Sequence, residues 1–399
     1  MLSELIIALA IGIGLGTITG LVPGIHINLV SLVLLNISPI LLNHVSVITL
    51  GVFIISMAVT HILLDNIPSV FLGAPDSGNA LLILPGHKLL LEGRGFEAVK
   101  LTVIGNLFCL ILSILLIPLF IPIIKILYDA LKDYIGYILI LFMVFMIFKE
   151  KHRWKWNLAV FMISGVLGLC VFNLNLKDPL FPMLSGLFGT SMLCVSLLDK
   201  VNIPEQTAED TINIGRKKTL KAFFAGTFAG SLTSFFPGLG PSEGAVIASQ
   251  MTGDIGDYGY IILVGGINIV NFMLSLVSLF VLEKARNGAV LVVAELMKIN
   301  VYGLLIFVSA ALIAGGVSAF LALKITKLFA KLIVKANYFA MVMSVIIFIT
   351  ILVFYFSGWK GLIVLAVSTF VGIIPSEVGV ARNHQMGCLI LPVILYFVV

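Results

Sequence analysis

Charge is scarce in this chain. Only 11% of its 399 residues are Asp, Glu, Lys or Arg, where soluble domains carry about 25%. No Lys or Arg precedes Lys88. So little charge cannot clothe a water-facing surface, which excludes an ordinary soluble enzyme or binding module. Cysteine is also sparse. Cys109, Cys170, Cys194 and Cys388 stand alone in apolar runs without CxxC spacing, so buried, inert thiols are expected rather than disulfides or a metal site. The early histidines His26, His44, His61 and His87 fit no metal spacing. There is no Gly-Lys-Ser/Thr and no HExxH. ATP drive from this chain and metalloprotease chemistry are therefore not indicated, and no enzyme is expected. The first residues carry only Glu4 and no basic n-region, so a cleaved signal peptide is not expected.

Apolar sequence fills the space that charge leaves. The chain is 60% hydrophobic with a mean hydropathy of +1.18. Its apolar runs are continuous rather than alternating, which argues for helices and against a β-barrel. A crossing helix needs about 20 apolar residues, so the runs allow roughly ten to twelve membrane segments, some too short to span alone. The expected fold is an all-α polytopic protein of the cell membrane. The net charge of +5 does not point to nucleic acid, because the basic residues gather in short stretches between apolar runs. By the positive-inside rule, 88–100, 149–155, 216–221 and 324–335 are placed in the cytoplasm, and 128–133 and 173–179 outside. The N-terminus, with no basic residue before Lys88, is placed outside.

One break organises the chain. Residues 226–250, GTFAGSLTSFFPGLGPSEGAVIASQ, form a helix-like run interrupted at Phe-Phe-Pro-Gly-Leu-Gly-Pro. Pro237 and Pro241 each remove a backbone donor, and Gly238 and Gly240 permit angles that other residues avoid. A fainter copy lies near the N-terminus: Gly12-x3-Gly16-x6-Pro23-Gly24 matches Gly226-x3-Gly230-x6-Pro237-Gly238 at all four positions. Paired broken helices in corresponding halves point to a transporter's substrate site. The one clearly polar connector, 199–221, separates them. The expected organisation is therefore an N-terminal membrane repeat (1–198), a cytoplasmic linker (199–221) and a C-terminal membrane repeat (222–399). The halves are expected to be inverted, each with a broken or re-entrant Pro-Gly hairpin.

A helix that restarts after a break presents unpaired amides and partial positive charge, where a carboxylate can dock. The substrate-binding candidates are Pro23, Gly24, His26 and Asn28 at the first break, and Pro237, Gly238, Gly240 and Ser242 at the second. Asn268 joins them, three residues from Asn271 on one helical face. The plainer reading makes both breaks packing kinks and both asparagines interhelical hydrogen-bonding groups. Asp76, Ser77, Asn79 and Asp65 lie in the polar-sprinkled stretch 65–86. An ionisable group at membrane depth is a functional candidate by default, so these are the coupling-ion candidates, with helix capping as the alternative for Asp76. Glu243 caps the helix start or binds a cation. Residues 87–100 read as a hydrophilic loop, and Arg382 with His384 as a solvated loop or a lipid-headgroup contact.

Several blocks resemble a known family. They are GTITGLVPGIHIN (16–28), APDSGNALLILPGHKLLLEGRGFEAV (74–99), GTFAGSLTSFFPGLGPSEGAVIA (226–248) and GGINIVNFMLSL (265–276). The chain resembles the large membrane (permease) subunit of the tripartite tricarboxylate transporter family over nearly its whole length. PMLSGLFGTSMLCVSLL (182–198) and GIIPSEVGVARNHQMGCLILPVILYF (372–397) are similar to the archaeal-type variant. The first break departs from the family by lacking the second Gly-Pro. The resemblance implies cation-coupled uptake with a small membrane subunit and an extracytoplasmic binding protein as partners. Together these readings give a secondary-active permease for small organic anions, carboxylates, coupled to Na+ or H+ and needing no other cofactor. Transport or flipping of a lipid-linked anion such as a polyprenyl phosphate is the alternative.

Overall fold

The structure is a computed structural model that describes residues 2–22, 34, 37–72, 82–131, 134–149, 152–177, 179–198, 204–207, 215–235, 240–285, 287–333 and 338–398. Among the described residues all regular secondary structure is helical. In chain order the helices are α1 (Leu2–Leu21), α2 (Val47–Leu64), α3 (Asn66–Phe71), α4 (Ile83–Leu91), α5 (Gly95–Leu131), α6 (Ile135–Lys149), α7 (Trp154–Phe172) and α8 (Leu180–Leu184). A π-helical turn (Ser185–Thr190) leads into α9 (Ser191–Leu198). Then follow α10 (Arg216–Phe235), α11 (Pro241–Thr252), α12 (Gly256–Leu282), α13 (Gly288–Leu296), α14 (Val301–Ile333) and α15 (Tyr338–Val378). A 3₁₀ turn (Arg382–Met386) precedes α16 (Gly387–Val398).

Seven helical segments are long and apolar enough to cross a membrane, and three shorter apolar helices accompany them. The protein is a multi-pass membrane protein. α15 has 41 residues, about 60 Å at about 1.5 Å each, twice the roughly 30 Å hydrocarbon core. It divides at Gly358, whose φ of 63° and ψ of −161° are open to glycine alone.

Two helices form the interior. Residues are 89% buried along the best window of Val47–Phe71 and 94% along that of α12, against 22–44% for the other candidate spans. Each takes a neighbour on a ladder of small residues, which lets backbones approach closely in lipid. Gly12, Gly16 and Gly20 of α1 lie against the carbonyls of Phe53, Met57 and His61 on α2. Gly226 and Gly230 of α10 lie against those of Leu263 and Ile267 on α12. Both pairs run parallel, because each step of four on one helix is a step of four on the other.

The remaining contacts fix the other directions. Gly51 meets Phe307, the Ser318 hydroxyl donates to Thr60 Oγ1 at 2.8 Å, and Phe71 packs edge-on to Phe329, so α14 runs parallel to α2. Phe108 stacks on Phe223 and Phe120 packs against Phe235, so α5 runs parallel to α10. Lys327, near the end of α14, lies over Phe96 at the start of α5. Hence α1, α2 and α14 point one way and α5, α10 and α12 the other. A second group of helices packs beside this core: α7 and α6 on α16, and α15 on α8, α9 and the π turn between them.

Three of the four basic stretches converge at one end. Lys88 pairs with Asp257 at 2.7 Å, Arg94 lies over Tyr258, Lys327 over Phe96, and Lys218 reaches the neighbourhood of Gly256. Some sequence expectations are corrected here. Residues 87–100 are not a loop: α4 runs to Leu91 and α5 begins at Gly95, leaving only 92–94 between them. The basic stretch beginning at Lys324 is the last turns of α14, helical to Ile333. Cys109 and Cys388 are buried as expected, whereas Cys170 is exposed and Cys194 half-buried.

Candidate functional site

The second break can be followed on both flanks. α10 ends at Phe235, and the chain re-enters description at Gly240, whose carbonyl accepts the Gly244 N–H at 3.1 Å. Gly240 therefore occupies the N-cap of α11 and Pro241 its first position, where a missing N–H costs nothing. Ser242 is 2% exposed, at the turn where helix dipoles concentrate positive charge. α12 is tied to the last turn before the break: Asn271 Nδ2 donates to Thr233 Oγ1 at 2.9 Å. Here the interhelical reading of the asparagine pair holds for Asn271, while Asn268 sits half-buried one turn earlier. Pro237 and Gly238, with Pro23, Gly24, His26 and Asn28 of the first break and Asp76, Ser77 and Asn79, lie outside the described residues. So does the Glu243 side chain.

Asp65 and Asn66 form the joint between α2 and α3. Asp65 is 5% exposed. Its backbone N–H bonds His61 O at 2.9 Å, and its carbonyl accepts the Ser69 hydroxyl at 2.8 Å. The Asn66 amide donates to the carbonyls of Ile62 and Leu63, and its buried Oδ1 accepts no hydrogen bond. An acidic residue thus adjoins, in sequence, an amide oxygen that accepts no hydrogen bond in an apolar interior. Close by, His61 Nδ1 meets Thr19 Oγ1 at 3.1 Å and holds the end of α1 to α2.

Sequence reasoning missed the most telling residue. Arg382 is no solvated loop residue: it is 7% exposed, within the 3₁₀ turn before α16. Its guanidinium donates to Ser376 Oγ at 2.7 Å and to Ser191 Oγ at 3.3 Å. Among the described residues no carboxylate pairs with it; Lys88–Asp257, Arg94–Glu92, Arg94–Glu97 and Lys298–Glu283 pair elsewhere. Neutral hydroxyls leave its charge uncompensated, and a buried charge in that state attracts an anion. The planar guanidinium suits a carboxylate through a two-bond fork. Its surroundings are polar by the standard of this chain. Ser191 follows the π turn directly, Thr190 and Thr369 share a hydroxyl contact of 2.6 Å, and fully buried Gln385 donates to Val371 O. The 3₁₀ turn packs against α11, so the buried cation and the helix that starts at the second break are neighbours. The available signal was RNHQ between two apolar runs, five residues after Glu377.

The family model of the tripartite tricarboxylate transporter TctA family matches residues 6–387. The chain belongs to the TctA family. A relative from Methanocaldococcus jannaschii, an uncharacterized protein, is 28% identical over 98% of this chain and 98% of its own length. That archaeal relative is consistent with the archaeal-type variant. No solved structure matches the chain. As a TctA family member, it is the membrane component of a tripartite tricarboxylate transporter, and both polar clusters lie inside the matched region.

Proposed function

We propose that this chain is a secondary-active permease for small organic anions, carboxylates, coupled to Na+ or H+ and working with a small membrane subunit and an extracytoplasmic binding protein. The observation that carries the proposal is Arg382, a buried cation that no carboxylate pairs with among the described residues, beside the helix that begins at the second Pro-Gly break. A substrate carboxylate would take one fork from Arg382 and lie toward the dipole end of α11 at Gly240 and Ser242. Asn268 and the first break (Pro23, Gly24, His26, Asn28), with Pro237 and Gly238, complete the proposed substrate set. Asp65, joined by Asn66, is the better-supported coupling-ion position, and Asp76, Ser77 and Asn79 follow it in sequence.

Three packing relations support repeated, inverted halves at 1–198 and 222–399 about the 199–221 linker. α1 lies along α2 as α10 lies along α12, on glycines at matching places in the two halves. α2 packs on α14 of the other half as α12 packs on α5. The two sets run in opposite directions. Length supports a re-entrant hairpin at the second break. From Lys221 to Phe235, α10 rises about 21 Å, and the 12 residues of α11 rise about 18 Å, both short of a 30 Å crossing. Residues 217 and 252 nevertheless line one groove, so the chain enters and leaves on the same side.

The test is binding and uptake by folded protein reconstituted in vesicles, with its partner subunits where they co-purify. A panel of labelled mono-, di- and tricarboxylates and a polyprenyl phosphate is offered under imposed Na+ or H+ gradients. Gradient-dependent accumulation of a carboxylate is expected. Absence of both binding and uptake across the panel, with the fold verified, sinks the proposal.

A further inference from the structure

A groove of about 560 Å³ opens between the first half of α10 and the last turns of α11. Its α10 wall carries Lys217, Leu220, Lys221, Phe224 and Phe228, spaced three or four apart and so on one helical face. Met251 and Thr252 stand opposite on α11. Leu220, Phe224, Phe228 and Met251 are 46–65% exposed, a continuous apolar strip that neither helix covers. Lys217 and Lys221 sit one turn apart at a single end of that strip, and among the described residues no acidic residue lines it. From Lys217 to Phe228 the groove runs eleven residues along α10, roughly 16 Å, about half the hydrocarbon core and therefore the depth of one leaflet.

The charge sits where a headgroup would lie and the apolar strip where a chain would lie. We infer that this groove is a binding site for one anionic phospholipid, its phosphate between Lys217 and Lys221 and one acyl chain along Phe224 and Phe228 toward the second break. The leaflet is the one facing the end where Lys88, Arg94 and Lys327 gather, the side the basic stretches assign to the cytoplasm, whose lipids are the anionic ones. A lysine near an anionic headgroup contributes roughly five-fold in affinity, so the pair should favour an anionic over a zwitterionic lipid by about 25-fold. The occupant would lie against the hairpin arm itself, so lipid composition would bear on how freely that arm moves. The inference does not depend on which substrate the protein carries.

The full-length protein in vesicles tests it. Phe228→Trp places a fluorophore at the deep end of the groove, and quenching by brominated phosphatidylglycerol is compared with quenching by brominated phosphatidylcholine. The expected result is saturable quenching at much lower mole fractions of phosphatidylglycerol, a preference that Lys217→Gln with Lys221→Gln abolishes. Those two lysines are exposed, so the fold is expected to survive their replacement. Equal quenching by both lipids means ordinary surrounding lipid only and overturns the inference. Displacement of phosphatidylglycerol by inorganic phosphate overturns it in favour of a free-anion site. No quenching by either lipid, with the protein running as a dimer, overturns it in favour of a second copy on this face.

Discussion

Replacing Arg382 by Gln separates a binding role from a structural one, because the two predict opposite changes in stability. The guanidinium is buried, and among the described residues its partners are hydroxyls. Folding therefore strips its hydration without supplying a countercharge, an arrangement that weakens a fold. Ser191 loses little when it leaves, since its own hydroxyl already donates to Leu187 O at 2.7 Å. Gln fills much of the same volume and can still reach a serine. Arg382→Gln should thus unfold at an unchanged or higher temperature. A hydrogen bond from a charged donor to a carboxylate contributes about 1.5–3 kcal/mol, so apparent substrate affinity should fall roughly 10- to 150-fold. Arg382→Lys keeps the charge but loses the fork and should lie between the two. The assay pairs a thermal melt of the detergent-solubilised protein with the concentration dependence of carboxylate binding. A lower melting temperature with unchanged affinity would refute the reasoning and make Arg382 a structural tie between α9 and α15.

Four further outcomes follow from the packing and titration of other residues. A Cβ on Gly230 would sit 2.6 Å from Val270 Cβ and 2.8 Å from Ile267 O, so Gly230→Val should force α10 off α12 and destabilise by about 1–3 kcal/mol or more, read as a lower melting temperature. Gly358→Ala meets nothing within 4 Å, yet its φ of 63° should cost about 1–3 kcal/mol; an unchanged melt would show that the chain turns without that angle. Burial pushes His87 below its ordinary value of 6.5, opposed by its hydrogen bond to Val70 O. The unfolded chain then binds the proton first, so stability is full above 6.5 and falls as pH drops below it, and His87→Gln should flatten that acid sensitivity in pH-dependent melts. Asp65→Asn should change the Na+ or pH dependence of transport more than substrate selectivity, and identical ion dependence would return Asp65 to a joint between helices.

The legible and illegible parts of this protein divide by range. Gly358 was foreseeable as a boundary, because apolar runs lie on either side of the short polar stretch at 357–361. The stretch at 87–100 was misread because hydrophilic residues at helix ends look like a loop, and only backbone bonding reveals that α4 continues to Leu91. Gly12, Gly16, Gly226 and Gly230 announced close approach without naming the partner, since a glycine shows that something comes near and not what. Arg382 was misplaced for the same reason. Its neighbours Ser191 and Ser376 lie 191 and 6 residues away, and no local pattern reports a contact of the longer separation.

The sequence by itself determined the solvent and the class. Scarce charge, continuous apolar runs and matching family blocks are one-dimensional properties, and they suffice for a helical membrane protein of the TctA family. Only the tertiary structure decided which helices lie inside, that α1, α2 and α14 oppose α5, α10 and α12, and that Arg382 is buried beside the helix that follows the second break. Those facts depend on which surfaces meet across a hundred residues or more, and hydropathy, which every lipid-facing and core-facing residue shares here, carries no record of that choice.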